Sequence, residues 1–274
     1  MPELPEVETV IADLRPQLVG RTIVEGELRH PSLLRYPTSA AFLVGIGWRR
    51  ILALSRHGKY IFHHLEDGGR LVVHLGMSGQ LSVVPAETTE PNHLHVVFQL
   101  DDGLQLRYRD PRRFGRLLLG REEELLESGH LPRLGADALD PTFTAAELHR
   151  LMRGRRTALK VFLLDQRAVA GIGNIYADEA CYLAGLRPTR PAESVSRPAA
   201  ERLHTALREV LQEAIANRGS TIRSYRDAYD EMGRHQERLW VYGRGGEACL
   251  ACGGLLSQIR VVGRSTVFCS RCQR

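Results

Sequence analysis

The stretch LHVVFQLDDGLQLRYRD, residues 94–110, holds two runs of β-branched, aromatic and aliphatic residues around Asp102-Gly103. That dipeptide accepts the left-handed backbone of a tight hairpin, and Asp102-Gly103 is read as a two-residue turn. A second pair of such runs, YIFHHL (60–65) and RLVVHLGM (70–77), is separated by Glu66-Asp67-Gly68-Gly69. Hairpins join antiparallel strands, whereas parallel strands need long crossovers. Residues 21 to 120 are therefore expected to form an antiparallel sandwich or barrel, not a βαβ fold. The short connections Gly76-Met77-Ser78-Gly79 and Asp110-Pro111-Arg112-Arg113-Phe114-Gly115 fall at its rim.

Outward from this block the period changes. Val7, Val10, Ile11, Leu14 and Leu18 recur at three and four residues, with Pro5 in the first turn and Pro16 near the end, which predicts a helix over residues 3–15. Beyond Pro132 the runs TAAELHRLMRG, RTALKVFLLDQRAVAGIGNIYADEACYLAGL and ESVSRPAAERLHTALREVLQEAIANRG read as helices punctuated by Pro141 and Pro188. The stretch 219–239 is polar and aperiodic and is expected to be a long, mobile loop. No internal repeat or low-complexity tract interrupts the chain.

At 274 residues the chain can hold two domains of ordinary size. With 43% hydrophobic and 25% charged residues it has the make-up of a soluble globular protein. It contains no run of eighteen apolar residues and no basic region followed by an apolar one, so a cytoplasmic protein without a membrane segment is expected. Net charge is +5 and pI about 9.1, compatible with a polyanionic partner. Of the 37 basic residues only Lys59 and Lys160 are lysines. Such uniform arginine use is what genomic composition alone can produce; the alternative is that the two lysines stand where a compact ammonium suits better than a planar fork.

Two groups of residues carry chemistry. The chain begins MPELPEVET, so removal of Met1 leaves Pro2 as a secondary amine with Glu3 and Glu6 close behind. A terminal amine titrates about two units below a lysine side chain, and its free form attacks electrophilic carbon. Proline followed by acids is equally ordinary helix-start chemistry, because carboxylates suit the positive end of the helix dipole. At the other end, Cys249, Cys252, Cys269 and Cys272 form C-x2-C-x16-C-x2-C, the spacing of a zinc ribbon; disulfides are the alternative, disfavoured in the cytosol. Four thiolates leave no open coordination position, so one structural zinc ion is expected. Arg244, Arg260, Arg264, Arg271 and Arg274 against the single acid Glu247 suit this segment to phosphate contact. Cys181, within a helical pattern, is expected to be a core residue.

PELPEVET, HLGMSG (74–79), DPRRFG (110–115), DQRAVAGIGNIYADEA from Asp165 and the four-cysteine ending, in this order, resemble the bacterial formamidopyrimidine-DNA glycosylases. The resemblance implies an α+β protein. Its parts would be an N-terminal helix with an antiparallel β-sandwich over 1–130, a helical domain with a helix-two-turns-helix motif and a lesion-covering loop over 131–238, and a zinc finger over 239–274. It implies a monomeric, nucleoid-associated enzyme of base excision repair that excises oxidised purines (8-oxoguanine and formamidopyrimidines) from double-stranded DNA and cuts the strand at the abasic site.

Residue by residue, the resemblance makes Pro2 the nucleophile that attacks C1′ and Glu3 the acid/base, with Lys59 and Arg264 completing the catalytic set and Glu6 a supporting acid. His74 and Asn174, like Lys59 and Arg264, would hold the phosphates of the flipped nucleotide, with Tyr176 and Tyr242 as further contacts. Met77, Arg112 and Phe114 would fill the vacated stack, Arg112 facing the orphaned cytosine. Ser220, Thr221 and Tyr225 are the loop residues it suggests for lesion contact, while the uncharged Ser78 argues against a carboxylate contact beside Met77. Lys160 falls in the helix-two-turns-helix stretch, bound or solvated. Two other readings share part of this pattern: an endonuclease VIII-like glycosylase for oxidised pyrimidines, and a damaged-DNA-binding zinc protein without catalysis. PELPEV and the RRF triplet favour the first assignment, and an amine beside an acid favours an enzyme over a binder.

Overall fold

The computed structural model describes residues 1–274, which form two compact units: residues 1–133 with 217–234, and residues 134–216 with 235–274. In the first unit, helix α1 (Leu4–Leu18) precedes strands β1 (Thr22–Leu28) and β2 (Leu34–Tyr36), helix α2 (Ser39–Ile46), and strands β3 (Arg49–His57), β4 (Tyr60–Leu65), β5 (Arg70–His74), β6 (Gln80–Pro85), β7 (Leu94–Leu100), β8 (Leu104–Arg109) and β9 (Arg116–Gly120). Helix α3 (Glu122–Glu127) follows. The strand order is β2-β9-β5-β4-β3-β1-β7-β8-β6. All pairs are antiparallel except β2 with β9.

The two halves of this sheet meet through the short pairing of Thr22 with Arg50 and Ile23 with Arg49. Their inward faces share one core with α1: Val7, Ile11 and Leu14 are buried with Ile61, Leu71 and Val73 from one half and Val96, Phe98 and Leu106 from the other. Each fully buried aliphatic side chain contributes about 2 kcal/mol. This burial explains why α1 runs past the expected end at residue 15, through Pro16, to Leu18. Leu14 and Leu18 are both fully buried, and Val19 N–H still donates to the Arg15 carbonyl. The β7–β8 hairpin also differs in detail. Gln99 pairs with Gln105, and the loop between Leu100 and Leu104 has three residues, with Gly103 left-handed at φ 84°.

The largest departure concerns 219–239. Residues 217–234 pack with the N-terminal unit, not with the helices that precede them, and they are tied by buried hydrogen bonds. Tyr225 and Ala228 enter the α1 core. A polar aperiodic sequence suggested mobility, but its polar groups are spent on partners distant in sequence.

The second unit contains β10 (Ala136–Asp137), α4 (Ala145–Met152), α5 (Leu159–Leu164), β11 (Val169–Ala170), α6 (Asn174–Leu183), α7 (Arg197–Ala216), β12 (Ser257–Val261) and β13 (Arg264–Phe268). The zinc segment falls within this unit and packs on α6: Tyr182 shares a buried cluster with Val241, Cys249, Leu256, Val267 and Cys269. No helix is long and apolar enough to cross a membrane.

One buried group sets a pH dependence. His63, fully buried between Ile61 and Leu65 on the core face, donates from Nδ1 to the Leu71 carbonyl at 3.1 Å, and its Nε2 has no partner. Burial lowers its pKa from 6.5 to about 4. The unfolded chain therefore binds a proton below pH 6.5 that the native chain refuses down to about pH 4. Stability is expected to fall with pH across this window by about 3 kcal/mol, from about 1.36 kcal/mol per pH unit. Denaturant titrations at a series of pH values should show this slope, and His63→Leu should flatten it.

Candidate functional site

Helix α1 begins where the chemistry was expected. Pro2, Glu3 and Glu6 are buried, whereas Met1 is 47% exposed. The terminal amine of the full chain is lowered below its ordinary range by burial; Glu3 and Glu6 oppose this, and Lys59 and Arg112 add to it. Glu6 does more than complement the helix dipole. Its Oε2 accepts the Glu3 N–H at 2.8 Å and its Oε1 accepts the Ser220 N–H at 2.7 Å. Gly219, left-handed at φ 76°, makes the second contact possible, since a Cβ there would lie 2.8 Å from the Glu6 side chain.

The three loop residues singled out in 217–234 are buried and hold the loop itself. Thr221 Oγ1 donates to the Tyr225 carbonyl and accepts the Gly233 N–H, and Tyr225 O–H donates to the Glu6 carbonyl at 3.3 Å. Between Thr221 and Tyr225, the side chains of Ile222, Arg223 and Ser224 are exposed. Ser224 Oγ donates to the Met77 carbonyl at 3.4 Å, so this loop and the 76–79 loop touch.

Met77 is half-buried, and Arg112 and Phe114 are exposed, with the Arg112 guanidinium 4.8 Å from the Phe114 ring centroid. Sequence reasoning missed what holds these two rim loops together. Asp110, fully buried, accepts from Ser78 Oγ at 2.6 Å and Arg112 N at 3.2 Å through one oxygen, and from Gly115 N at 2.8 Å through the other. Its own carbonyl accepts from His95 Nε2. Gly76, at φ 63°, lets the loops abut; a Cβ there would lie 2.5 Å from the Phe114 carbonyl carbon. The signal available in sequence was an Asp immediately before Pro at a strand end.

Lys59 is buried, and its charge helps, after burial, to hold the half-buried His74 near a pKa of about 4, so His74 is neutral at physiological pH. An uncharged imidazole can still donate one hydrogen bond to a phosphate oxygen.

In the second unit, Arg264 is exposed at the start of β13, and Asn174 opens α6 with Nδ2 donating to the Ser265 carbonyl at 3.2 Å. Lys160 is not solvated. Its ammonium is fully buried, 2.7 Å from Asp178 Oδ1 and donating to the same Ser265 carbonyl at 2.7 Å. Asp178 Oδ2 accepts Val267 N, and Glu179 accepts three successive amides, from Trp240, Val241 and the half-buried Tyr242. Tyr176, fully buried beside His235, offers no surface to a phosphate. Cys181 is a core residue.

The four cysteine sulfurs lie within 4.8 Å of one another, Cys249 to Cys272 at 3.9 Å and Cys252 to Cys269 at 3.5 Å. A tetrahedron with zinc–sulfur bonds of about 2.3 Å separates its sulfurs by about 3.8 Å. The donor set fits one structural zinc ion, closed to further ligands.

Three family models tile this architecture. Residues 1–117 match the formamidopyrimidine-DNA glycosylase N-terminal domain, 134–226 the formamidopyrimidine-DNA glycosylase H2TH domain, and 246–274 a zinc finger found in FPG and IleRS. The chain belongs to the formamidopyrimidine-DNA glycosylase family. It is 44% identical over 274 residues to the formamidopyrimidine-DNA glycosylase of Desulfitobacterium hafniense, covering 100% of both chains. The crystal structure of the MutM (FPG) protein from Thermus thermophilus superposes with a TM-score of 0.88 at 42% identity, covering 99% of this chain and 98% of that one. A mutant of Lactococcus lactis FPG, in complex with DNA containing Fapy-dG, gives a TM-score of 0.91 at 33% identity with 100% coverage of both.

Two measurements test these supports. Metal analysis should find one zinc per chain, and chelation should lower the melting temperature, since Cys249 and Cys269 are buried in the Tyr182 cluster. Asp110→Ala strips the partner from Ser78 Oγ and Gly115 N, both buried, and should cost about 3 kcal/mol in denaturant unfolding.

Proposed function

We propose that this protein is a bifunctional DNA glycosylase and abasic-site lyase of base excision repair, acting as a monomer on nucleoid DNA in the cytoplasm and excising oxidised purines from duplex DNA. The observation that carries this reading is the chain terminus: Pro2 and Glu3, both buried, lead into α1, and the Glu6 carboxylate is shared between the Glu3 and Ser220 amides. Met1, half exposed, can be removed without disturbing the core and would leave the Pro2 nitrogen as the nucleophile.

The chemistry follows from a secondary amine. The Pro2 nitrogen lone pair attacks C1′ as the C1′–N bond to the base breaks, and the base leaves with a proton. Glu3 protonates the ring oxygen as the sugar opens to an iminium ion. The iminium acidifies C2′; loss of that proton expels the 3′ phosphate, and a second elimination expels the 5′ phosphate. Glu3 carries protons in both directions. Water then returns the free amine.

Lys59, Arg264, His74, Asn174 and Tyr242 would position phosphates without reading the lesion. Met77, Arg112 and Phe114 would occupy the space left by the flipped nucleotide, Phe114 as wedge and Arg112 facing the opposite base. The zinc ion supplies no chemistry; with four thiolate ligands it holds the Arg264 hairpin in shape. Because the Ser220 N–H and the Tyr225 hydroxyl are committed to Glu6 and the Thr221 hydroxyl to the loop backbone, lesion contact would pass to Ile222, Arg223 and Ser224.

Borohydride should trap a covalent complex between damaged duplex and protein beginning at Pro2. Pro2→Gly should weaken trapping, and Glu3→Gln should bind duplex normally while excision falls at least about 100-fold. Equal trapping by protein that retains Met1 would refute the nucleophile. Excision of 8-oxoguanine opposite cytosine should exceed that of thymine glycol; the reverse order would favour the pyrimidine-specific reading.

A further inference from the structure

Arg218 stands at φ 61°, in the left-handed region, where a side chain other than glycine costs about 1 kcal/mol. Its guanidinium occupies a position that offsets this cost. Nη2 donates to Asp13 Oδ2 at 2.7 Å, Nε donates to Asp227 Oδ2 at 2.9 Å, and Nη2 also reaches Asp227. Both carboxylates are buried, Asp227 completely, while the Arg218 side chain is 38% exposed. Asp227 also accepts the Tyr229 and Glu231 amides through its other oxygen, closing the turn at the far end of the loop. Gln80 Nε2 donates to the Asp227 carbonyl and to Asp230 Oδ1, which ties that turn to β6.

Asp13 and Glu6 are seven residues apart on α1, so they share a helix face about 10.5 Å apart along the axis. The 217–234 segment is thus fastened to one rod at two stations: Ser220 on Glu6 and Arg218 on Asp13. Pro2 and Glu3 lead directly into the first turn of the same rod, Glu3 as its N-cap. A loop indexed to α1 at two points cannot slide or rotate against the terminal amine.

We infer that Arg218, clasping Asp13 and Asp227, is a positioning residue for base recognition: it fixes the Ile222–Arg223–Ser224 face of the loop relative to the nucleophile, and so governs removal of a damaged base and not cutting at a site that has already lost one. This rests on the glycosylase reading above. An abasic site presents no base for the loop to hold, so the two reactions separate the clasp from general damage to the protein.

Arg218→Gly is the decisive variant, because glycine keeps the left-handed backbone and removes only the clasp. In single-turnover assays with saturating protein, it should slow 8-oxoguanine excision about tenfold, as misplacement of a holding loop does. Strand cutting at a preformed abasic site in the same duplex should stay within about twofold. Arg218→Lys should recover part of the loss, since an ammonium retains charge but not the forked pair of contacts. Asp13→Asn, a milder change that keeps an acceptor, should shift excision in the same direction. Amide hydrogen exchange at residues 219–226, read without any substrate, should quicken at least about tenfold in Arg218→Gly. Equal slowing on both substrates, unchanged excision, or unchanged exchange would overturn the proposal. Wild-type protein that acts on neither duplex would refute the glycosylase reading instead, with the exchange result still deciding whether the clasp exists.

Discussion

A single buried carboxylate, that of Glu6, receives an amide from each of two distant parts of the chain, Glu3 at 2.8 Å and Ser220 at 2.7 Å. A buried carboxylate is tolerable only when such donors replace water. The consequence is mechanical: the terminus and the 217–234 loop cannot be placed independently. Gly219 follows from this constraint because only a residue without Cβ fits against the Glu6 side chain. So does the burial of Tyr225, whose hydroxyl reaches the carbonyl of the same Glu6. The hydrophobic face of α1 then anchors the whole arrangement in the sheet core.

The same device recurs wherever a functional loop needs a shape. Asp110 gathers Ser78, Arg112 and Gly115 so that Met77, Arg112 and Phe114 come from two loops fastened to one anion. Glu179 gathers three amides leading into the zinc segment, and Asp178 takes Val267 N on one side and the Lys160 ammonium on the other. In each case an acid inside the fold organises backbone donors, while the arginines and apolar tips remain outside. Charge-assisted hydrogen bonds of this kind are short and directional, which suits them to fixing loops.

The readable parts of the sequence were those whose signal is local. The hairpins around Asp102-Gly103 and Glu66–Gly69, the α1 stripe and the four cysteines each depend on spacing between near neighbours, and the sheet, the helix and the sulfur cluster are all present. The terminal Pro2-Glu3-Glu6 group stood out in the sequence by its residue types, but not as a junction. Residues 219–239 misled because polarity without period resembles solvent exposure. Their partners Glu6 and Gln80, and Asp13 for the adjoining Arg218, lie well over 100 residues away in sequence. Lys160 was open to either reading from sequence, since nothing local identifies Asp178 as its counter-ion. Tyr176, a plausible phosphate contact by motif, is consumed by the core.

The sequence by itself determined the elements: antiparallel hairpins, an amphipathic first helix, a helical second half and a thiolate metal site. These follow from periodicity, turn chemistry and ligand spacing, all of which act over a few bonds or one element. Only the tertiary structure decided which buried acids receive which amides, that the 217–234 segment returns to α1, and that the zinc segment is held by α6. Those pairings depend on burial, which sets the strength of every polar contact and is a property of the packed molecule, not of any window of its chain.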